Sequence, residues 1–314
     1  MDIEQQGPVV VLGAAGAIGS HVVDALVARG RAVRAVTRSP RPPRPGVDAV
    51  VADLRDPAAL RAAVAGASVV VHAAQPAYTR WAAEFPALTT AIADAAVGSR
   101  LVFADNLYAY GPVDGPLHED LPHGATGVKG RVRSRMAEEL LRRDQDVVVA
   151  RVSDYYGPRG LLSTAGSTLF GPAIAGQPVR LIGSADQPHS WHYLPDVGRA
   201  LVDLADAPQA TGRVWHVPAA DPLTQRELVT AAAAAAGVPP RVSVLPGPLH
   251  AALATVHPML RELRETRYQF TAPFVVDASR YAREIGPFEP TPHATAVAAT
   301  VDWFRADRAR GEAA

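Results

Sequence analysis

The first third of the chain alternates short apolar runs with longer segments in which apolar residues recur every three to four positions. A short apolar run is typical of a buried strand, and the longer period is typical of a helix that packs one face on a core. We predict strands at residues 9–12, 32–36, 49–51, 68–71 and 101–103. Helices are predicted at residues 17–29, 57–65, 81–97 and 131–141. Strands and helices that alternate through short turns indicate an α/β fold with a parallel, doubly wound sheet.

A glycine-rich turn joins the first predicted strand to the first predicted helix. Its three glycines allow a tight turn, close approach of the backbone to a pyrophosphate, and close packing of the helix on the strand. The phosphates of a dinucleotide would then lie at the helix N-terminus. A turn that serves packing alone is the alternative. The expected cofactor contacts are Gly13, Ala15, Gly16, Ala17, Ile18 and Gly19.

The ends of the next three strands would complete this cofactor site. The second strand is followed by Thr37 and Arg38, whereas NAD-binding proteins usually place an acidic residue there for the ribose hydroxyls. A guanidinium can pair with a 2′-phosphate, so we expect NADP as the cofactor rather than NAD. An ordinary solvated arginine, and for Asp53 a helix N-cap, are the alternatives. The further cofactor contacts that we expect are Asp53, Leu54, Ala73 and Ala74.

The composition of the chain narrows the chemistry that it can perform. Its 314 residues include 31 basic and 31 acidic residues and no cysteine, which excludes thiol nucleophiles, disulfides and thiolate-bound metals. We expect no metal site. A balanced charge, the lack of an apolar run of roughly 18 residues, and the polar start of the chain argue against nucleic acid, a membrane span and a targeting segment. We therefore expect a cytoplasmic protein whose partner is a small-molecule substrate.

Five segments follow the glycine turn in a fixed order. They are His72-Ala73-Ala74, Phe103–Gly111 (FADNLYAYG), Arg151–Pro158 (RVSDYYGP), His189–Val197 (HSWHYLPDV) and Thr300–Phe304 (TVDWF). Together with the turn they resemble motifs of the extended short-chain dehydrogenase/reductase superfamily, and within it the NAD-dependent epimerase/dehydratase family. The resemblance implies a Rossmann-type sheet domain with a smaller C-terminal substrate lobe, and a homodimer. We expect the NADP-binding domain at 1–155 and 190–218, and the substrate lobe at 156–189 and 219–314.

The catalytic pair of that family, Tyr-x-x-x-Lys, is absent. Lys129 is the only lysine of the chain, and no tyrosine stands four residues before it. If Glu138 matches the family's helical glutamate, Gly130 and Ser134 occupy the positions of the pair. A shift of one residue places Lys129 and Arg133 there instead. We favour the shifted register because it brings cations to the ribose and the substrate.

Other motif positions also carry unusual residues. Asn106 stands at the catalytic serine or threonine position, next to Asp105; Asp154 replaces an asparagine, and His189 replaces an arginine that would bind a nucleotide-sugar diphosphate. An amide can orient a carbonyl, and a carboxylate can transfer a proton. Turn caps, core aromatics and satisfied buried histidines are the alternative roles. We assign candidate catalytic roles to Asp105, Asn106, Tyr108 and Lys129, and candidate substrate contacts to Asp154, Tyr155, His189 and His192.

A charged segment of the expected lobe, Leu260–Glu265, has the pattern of a solvated helix. Arg261 and Glu265 stand four residues apart, so either solvation or pairing along that helix is expected.

Three functions fit these patterns. The first is an NADP-dependent oxidoreductase acting on a carbonyl or alcohol of a small metabolite, with Lys129 or Tyr108 supplying the proton and Asn106 polarising the oxygen. The second is an epimerase or dehydratase that uses its cofactor transiently, with Asp105 as acid or base. The third is a redox-responsive regulator that binds NADP without turnover, which the missing catalytic pair would favour.

Overall fold

The structure, a computed structural model, describes residues 7–256 and 258–312. Its strands are β1 (Val9–Leu12), β2 (Val33–Thr37), β3 (Val47–Val51), β4 (Val69–His72), β5 (Arg100–Asn106), β6 (Val147–Val152), β7 (Tyr155–Tyr156), β8 (Val179–Leu181), β9 (His192–Tyr193), β10 (Arg213–His216) and β11 (Val242–Val244). Its helices are α1 (Ala17–Ala28), α2 (Pro57–Val64), α3 (Trp81–Ala95), α4 (Val128–Leu141), α5 (Ser167–Ile174), α6 (Leu194–Asp206), α7 (Gln225–Ala236), α8 (Gly247–Val256), α9 (Pro258–Leu263), α10 (Ser279–Glu284) and α11 (His293–Glu312).

Seven of the strands form one parallel sheet in the order β10-β6-β5-β4-β1-β2-β3. β1 and β6 are buried along their whole lengths, because helices cover both faces of the sheet. This buried position explains the continuous apolar runs in the sequence. The α/β class and the doubly wound sheet predicted from those runs are confirmed.

Two helical layers enclose the sheet. On one face α1 packs against α6, and Gly198 of α6 allows this close approach because a Cβ there would collide with the backbone of His21. On the other face α2, α3 and α4 cover the sheet through Leu60, Phe85 and Met136. The carboxyl ends of β1, β4, β5 and β6 therefore open at one edge between these layers, which is where ligands bind in such folds.

A third apolar cluster lies outside the sheet. It joins Tyr156, Phe170 and Trp191 to Leu228 of α7 and Val297 of α11. Two short parallel strand pairs, β7 with β9 and β8 with β11, accompany it. The boundaries expected for the substrate lobe stay a prediction, although this cluster draws on both segments assigned to it.

Two elements near the sheet edge differ in length from the predictions. β5 continues past Phe103 to Asn106, because Ala104 and the polar residues Asp105 and Asn106 remain paired with β6. α4 begins at Val128 instead of residue 131. Its first N–H groups are bound by the carboxylate of Glu265, a distant partner that local sequence does not reveal.

Candidate active site

The glycine turn between β1 and α1 has the geometry of a dinucleotide cradle. Gly13 has a φ of +81°, and a Cβ there would lie 2.8 Å from Ala73 and Ala74 beyond β4. A Cβ at Gly19 would collide with the carbonyl of Gly13. Gly16 is the N-cap of α1 and offers no side chain, and the first turn of this helix has no acidic residue. The N–H of Gly16 donates to the Gly13 carbonyl at 2.9 Å, and the N–H groups of the first helical turn that no side chain caps are left for an anion.

The residues after β2 and β3 are open to solvent. Arg38 is exposed, and Thr37 donates a hydrogen bond to the Ser39 carbonyl at 2.8 Å. Arg55 donates through its side chain and backbone to the Asp53 carboxylate, and this bonding lowers the pKa of Asp53 to about 2. Asp53 is not the N-cap of α2: Asp56 is, since its Oδ1 accepts from the backbone N of Ala58 at 2.8 Å. Leu54 is half-buried against the core.

Asp105, near the end of β5, lies inside an ion triad. Its carboxylate is fully buried and accepts from Arg133 Nη1 of α4 at 3.1 Å and from Arg151 Nε of β6 at 3.0 Å. The Arg133 guanidinium also stacks 4.2 Å from the ring of Trp81. These contacts give Asp105 the position of a counter-ion that joins β5, β6 and α4.

Asn106 ends β5 at the sheet edge. Its Oδ1 accepts from the backbone N of Tyr108 at 3.1 Å and caps the short 3-10 helix Leu107–Tyr110. Within the described residues its amide nitrogen forms no hydrogen bond. Asn106 therefore has the capping contact considered as an alternative role, and a donor that remains for a ligand.

Lys129 lies at the first turn of α4, almost fully buried. Its Nζ donates to the carbonyl of Tyr78 at 3.0 Å, pairs with Glu262 of α9, and lies 4.1 Å from the centre of the Tyr78 ring. Glu265 binds the backbone N–H groups of Lys129 and Gly130. The charged face expected to be solvated or self-paired therefore docks on α4 instead.

Four tyrosines from distant segments have their pKa values raised by the same two causes. Burial raises the pKa of each tyrosine, and the charge of Asp154 raises it further; for Tyr78 and Tyr268 the pKa rises to about 12. These hydroxyls are therefore neutral at physiological pH and available as hydrogen-bond donors. The four tyrosines are Tyr78, Tyr108, Tyr155 and Tyr268.

His189 and His192 differ in their partners. The Nε2 of His192 donates to the Val217 carbonyl at 2.8 Å, and its Nδ1 accepts from the backbone N of Ser153 at 3.2 Å. Burial lowers the pKa of His192 to about 4, so this ring is a neutral, satisfied core histidine. His189 is also buried, but its Nε2 lies 3.1 Å from the Asp154 carboxylate.

Comparisons with known proteins identify the family of the chain. Residues 9–217 match the NAD dependent epimerase/dehydratase family. The chain belongs to this family. A relative from Streptomyces bikiniensis, described as dTDP-4-dehydro-6-deoxy-D-allose reductase, is 27% identical over 95% of this chain and 96% of its own. The chain is accordingly an NAD(P)-dependent oxidoreductase or an epimerase/dehydratase of the short-chain dehydrogenase/reductase superfamily.

Solved structures of similar fold align with 96% of the chain. MoeE5 in complex with UDP-glucuronic acid and NAD has a TM-score of 0.77 at 24% identity, over 96% of this chain and 100% of its own. The DesIV double mutant from Streptomyces venezuelae, described as dTDP-glucose 4,6-dehydratase with NAD and DAU bound, has a TM-score of 0.78 at 22% identity, over 96% and 98%. These likenesses support the Rossmann-type fold.

α4 contains no Tyr-x-x-x-Lys pair. A Cβ at Gly130 would lie 2.6 Å from the Tyr108 carbonyl and would collide with Ala125, so no larger side chain fits there. The Ser134 hydroxyl reaches only the Ala109 carbonyl, at 3.5 Å. Lys129 and Arg133, by contrast, both lie on the buried face of α4. Which residues of α4 align with the family's Tyr-x-x-x-Lys positions stays a prediction.

Several residues of this site carry no motif that would have identified them. Tyr78 and Trp81 precede or begin α3, whereas Glu262 and Glu265 come from the other end of the chain. Their only sequence signal is a pair of acidic residues in a segment that looks solvated. Within residues 7–256 and 258–312, no helix is long and apolar enough to cross a membrane.

Proposed function

We propose that this family member transfers hydride between a nicotinamide cofactor and a carbonyl or alcohol carbon of a small metabolite. The observation that carries the proposal is the arrangement of the sheet edge. The glycine cradle after β1 and the polar groups after β5 are separated only by β4, so a dinucleotide held by the first would reach the second. The cofactor supplies the hydride chemistry when it is bound.

The cofactor contacts fit the residues present. Gly13 and Gly19 leave space that a Cβ would fill, and Ala73 and Ala74 line the backbone opposite the turn. We propose NADP because Arg38 is exposed and forms no ion pair among the described residues, while the nearby Asp53 is bound by Arg55. The solved relatives named above hold NAD, so both dinucleotides belong in a binding test.

The side chains after β5 would orient the substrate. The free amide nitrogen of Asn106 would donate to a substrate oxygen, and the neutral hydroxyl of Tyr108 would donate beside it. Lys129 would contribute its positive charge at the same edge. Asp105 as an acid or base stays a prediction, and its two ion pairs favour a positioning role.

The substrate that we propose is smaller than a nucleotide sugar, or is held differently. His189, at the position where the family has a diphosphate-binding arginine, is 1% exposed and stacks on aromatic rings. A buried imidazole cannot grip a diphosphate as a guanidinium does. Four tyrosine rings and hydroxyls suit a compact substrate with both apolar and hydroxyl-bearing parts.

Two measurements test this function. Titration with NADP and with NAD, followed by calorimetry, reports the cofactor; NADPH consumption with panels of small ketones, aldehydes and sugar nucleotides reports turnover. Stoichiometric consumption with a small carbonyl compound is expected. Tight cofactor binding without turnover on either panel would contradict the proposal and favour a regulator.

The family membership supports a second function, epimerisation or dehydration. In that case product would form without net change in the cofactor absorbance, because the hydride taken from the substrate returns to it, and deuterium from labelled NADPH would stay out of the product. Product analysis of the sugar-nucleotide panel by mass spectrometry distinguishes this outcome from net reduction.

A further inference from the structure

A short segment from the C-terminal part of the chain, residues 260–268, lies across the first turn of α4. We call this segment the strap. Its Glu262 pairs with Nζ of Lys129, and its Glu265 accepts from the first backbone N–H groups of α4. Gly127 makes room for this contact, because a Cβ there would collide with the Glu265 side chain. The strap is thus attached to α4 by two carboxylates.

The strap also covers the space next to Tyr108. Thr266 and Tyr268 of the strap line a cavity together with Tyr108 and Gly130. This cavity has a volume of about 70 Å³, whereas a pocket that holds a small molecule usually has about 300 Å³ or more. A metabolite therefore cannot fit beside Tyr108 while the strap lies in this position.

The two ends of the strap are packed differently. Phe270, just beyond its last residue, is buried in the apolar cluster outside the sheet, and the ring of Tyr268 lies edge-on to that of Phe274. Leu260 and Leu263, by contrast, are only half-buried and join none of the apolar clusters of the described residues. The strap is therefore anchored near Phe270, and elsewhere its two carboxylates hold it over the site.

Contacts of this kind can break while the rest of the protein stays folded. The Glu262 side chain is 24% exposed, so water and salt reach its ion pair with Lys129. Ion pairs that solvent reaches are weak and are screened by salt. Segments with few buried apolar contacts open locally, well before the whole protein unfolds. Movement of the strap would enlarge the space beside Tyr108 and release the Lys129 ammonium from its partner.

We propose that the strap is a lid, which detaches from α4 at Glu262 and Glu265 to admit the substrate and then closes over it. Phe270 stays packed during this movement and acts as the hinge. Closure brings Thr266 back beside Tyr108 and shields the site from water. The inference rests on the proposed function for the substrate that enters, whereas the opening itself requires no substrate.

Thiol labelling tests the lid in the protein alone, because the chain has no cysteine of its own. Thr266 is 4% exposed and Thr300 of α11 is 0% exposed, so a cysteine at either position reacts only when its surroundings open. Lid opening uncovers Thr266→Cys alone, whereas global unfolding uncovers both. With each rate divided by that of the unfolded variant, we expect iodoacetamide to label Thr266→Cys at least about 100-fold faster than Thr300→Cys. Equal rates would overturn the lid.

A second substitution tests whether the carboxylates hold the strap closed. Glu262→Gln keeps the size of the side chain and removes its charge, so labelling of Thr266→Cys should become about tenfold faster. Labelling of Thr300→Cys should not change. Glu284→Gln, which breaks an ion pair with Arg213 of β10, is the matched control and should affect neither rate. An unchanged Thr266→Cys rate in Glu262→Gln would contradict the role of the ion pair.

A reversible crosslink connects the lid to turnover. The double variant Gly127→Cys, Glu265→Cys places two thiols where the structure has a close contact. Oxidation should lock the strap and lower the turnover of a small carbonyl substrate at least about 100-fold, and dithiothreitol should restore it. Full turnover in the oxidised form would overturn the lid. Absence of turnover in the unsubstituted protein would sink the proposed function, while thiol labelling still decides whether the strap opens.

Discussion

The cofactor turn and the first turn of α4 are both helix N-termini at the same sheet edge, but they are built differently. The first is made by neighbouring residues: Gly13, Gly16 and Gly19 fit the backbone of their own strand and helix and the adjacent β4. The second is made by distant residues, since Glu262 and Glu265 approach α4 from the end of the chain. No side chain caps the first N–H groups of α1, whereas the carboxylate of Glu265 binds those of α4.

This difference separates what the family shares from what this member has changed. A cradle for phosphates needs backbone geometry, which three spaced glycines ensure. Proton transfer needs side chains, and this chain lacks the Tyr-x-x-x-Lys pair and carries Asn106, Asp154 and His189 at positions that resemble the family's motifs. In the sequence, the glycine turn therefore keeps the family pattern, while the segments that follow β5 and β6 depart from it.

The largest effect that would sharpen this comparison is expected at Asp105. Asp105→Ala would leave Arg133 and Arg151 buried without their carboxylate, and should lower the free energy of unfolding by about 3–5 kcal/mol. Urea denaturation measures the loss. Asp94→Ala, which removes a carboxylate that is 62% exposed and pairs with Arg143, is the matched control and should cost less than about 1 kcal/mol. Similar losses in the two variants would contradict the buried counter-ion role.

The next effect concerns the cradle itself. Gly13→Ala combines the strain of a φ of +81° with a collision against Ala73 and Ala74, and should cost about 2–4 kcal/mol of unfolding free energy. Cofactor affinity should fall with it in calorimetric titration. Gly46→Ala has a similar φ of +75° but open space around its Cβ, so it should cost only about 1 kcal/mol. If Gly46→Ala lowers the cofactor affinity as much as Gly13→Ala does, the loss is not specific to the glycine turn.

A third, smaller effect separates binding from chemistry at α4. Lys129→Ala removes the cation paired with Glu262, and should lower kcat about 100-fold while cofactor affinity stays within about twofold. Steady-state kinetics with a substrate from the panel, beside NADP titration, gives both numbers. Arg135→Ala, exposed on the same helix, should change neither. Full activity in Lys129→Ala would show that the lysine only anchors α9.

The smallest effect is expected at the rim of the cofactor site. Arg38→Ala should lower the NADP affinity about tenfold, or by about 1.4 kcal/mol of binding free energy. The NAD affinity should stay unchanged. Competitive titration of the two dinucleotides measures the ratio. Arg61→Ala, an exposed arginine on α2, is the control. An unchanged NADP to NAD ratio in Arg38→Ala would mean that the chain does not select for the 2′-phosphate.

Most of the sheet and the cofactor turn could be predicted from the sequence, because each follows from a pattern of neighbouring residues. The apolar runs of β1 and β4 identify buried parallel strands, and the positive φ of Gly13 follows from its place in a tight turn. The candidate catalytic positions were predicted only from the resemblance to family motifs. Sequence reasoning missed the start of α4 and the partners of Lys129, because no short-range pattern encodes a contact between residues more than one hundred positions apart.

The sequence by itself determined the fold class, the cofactor turn and the absence of the Tyr-x-x-x-Lys pair, since a chain with one lysine and no tyrosine four residues before it cannot contain that pair. Only the tertiary structure decided that Asp105 is bound between two arginines, that Glu262 and Glu265 cover α4, and that Asp154 meets His189. The physical reason is that turns and strands follow from the preferences of adjacent residues. The charge state and the contacts of a buried side chain depend instead on which residues, distant in the sequence, are packed next to it in a low-dielectric environment.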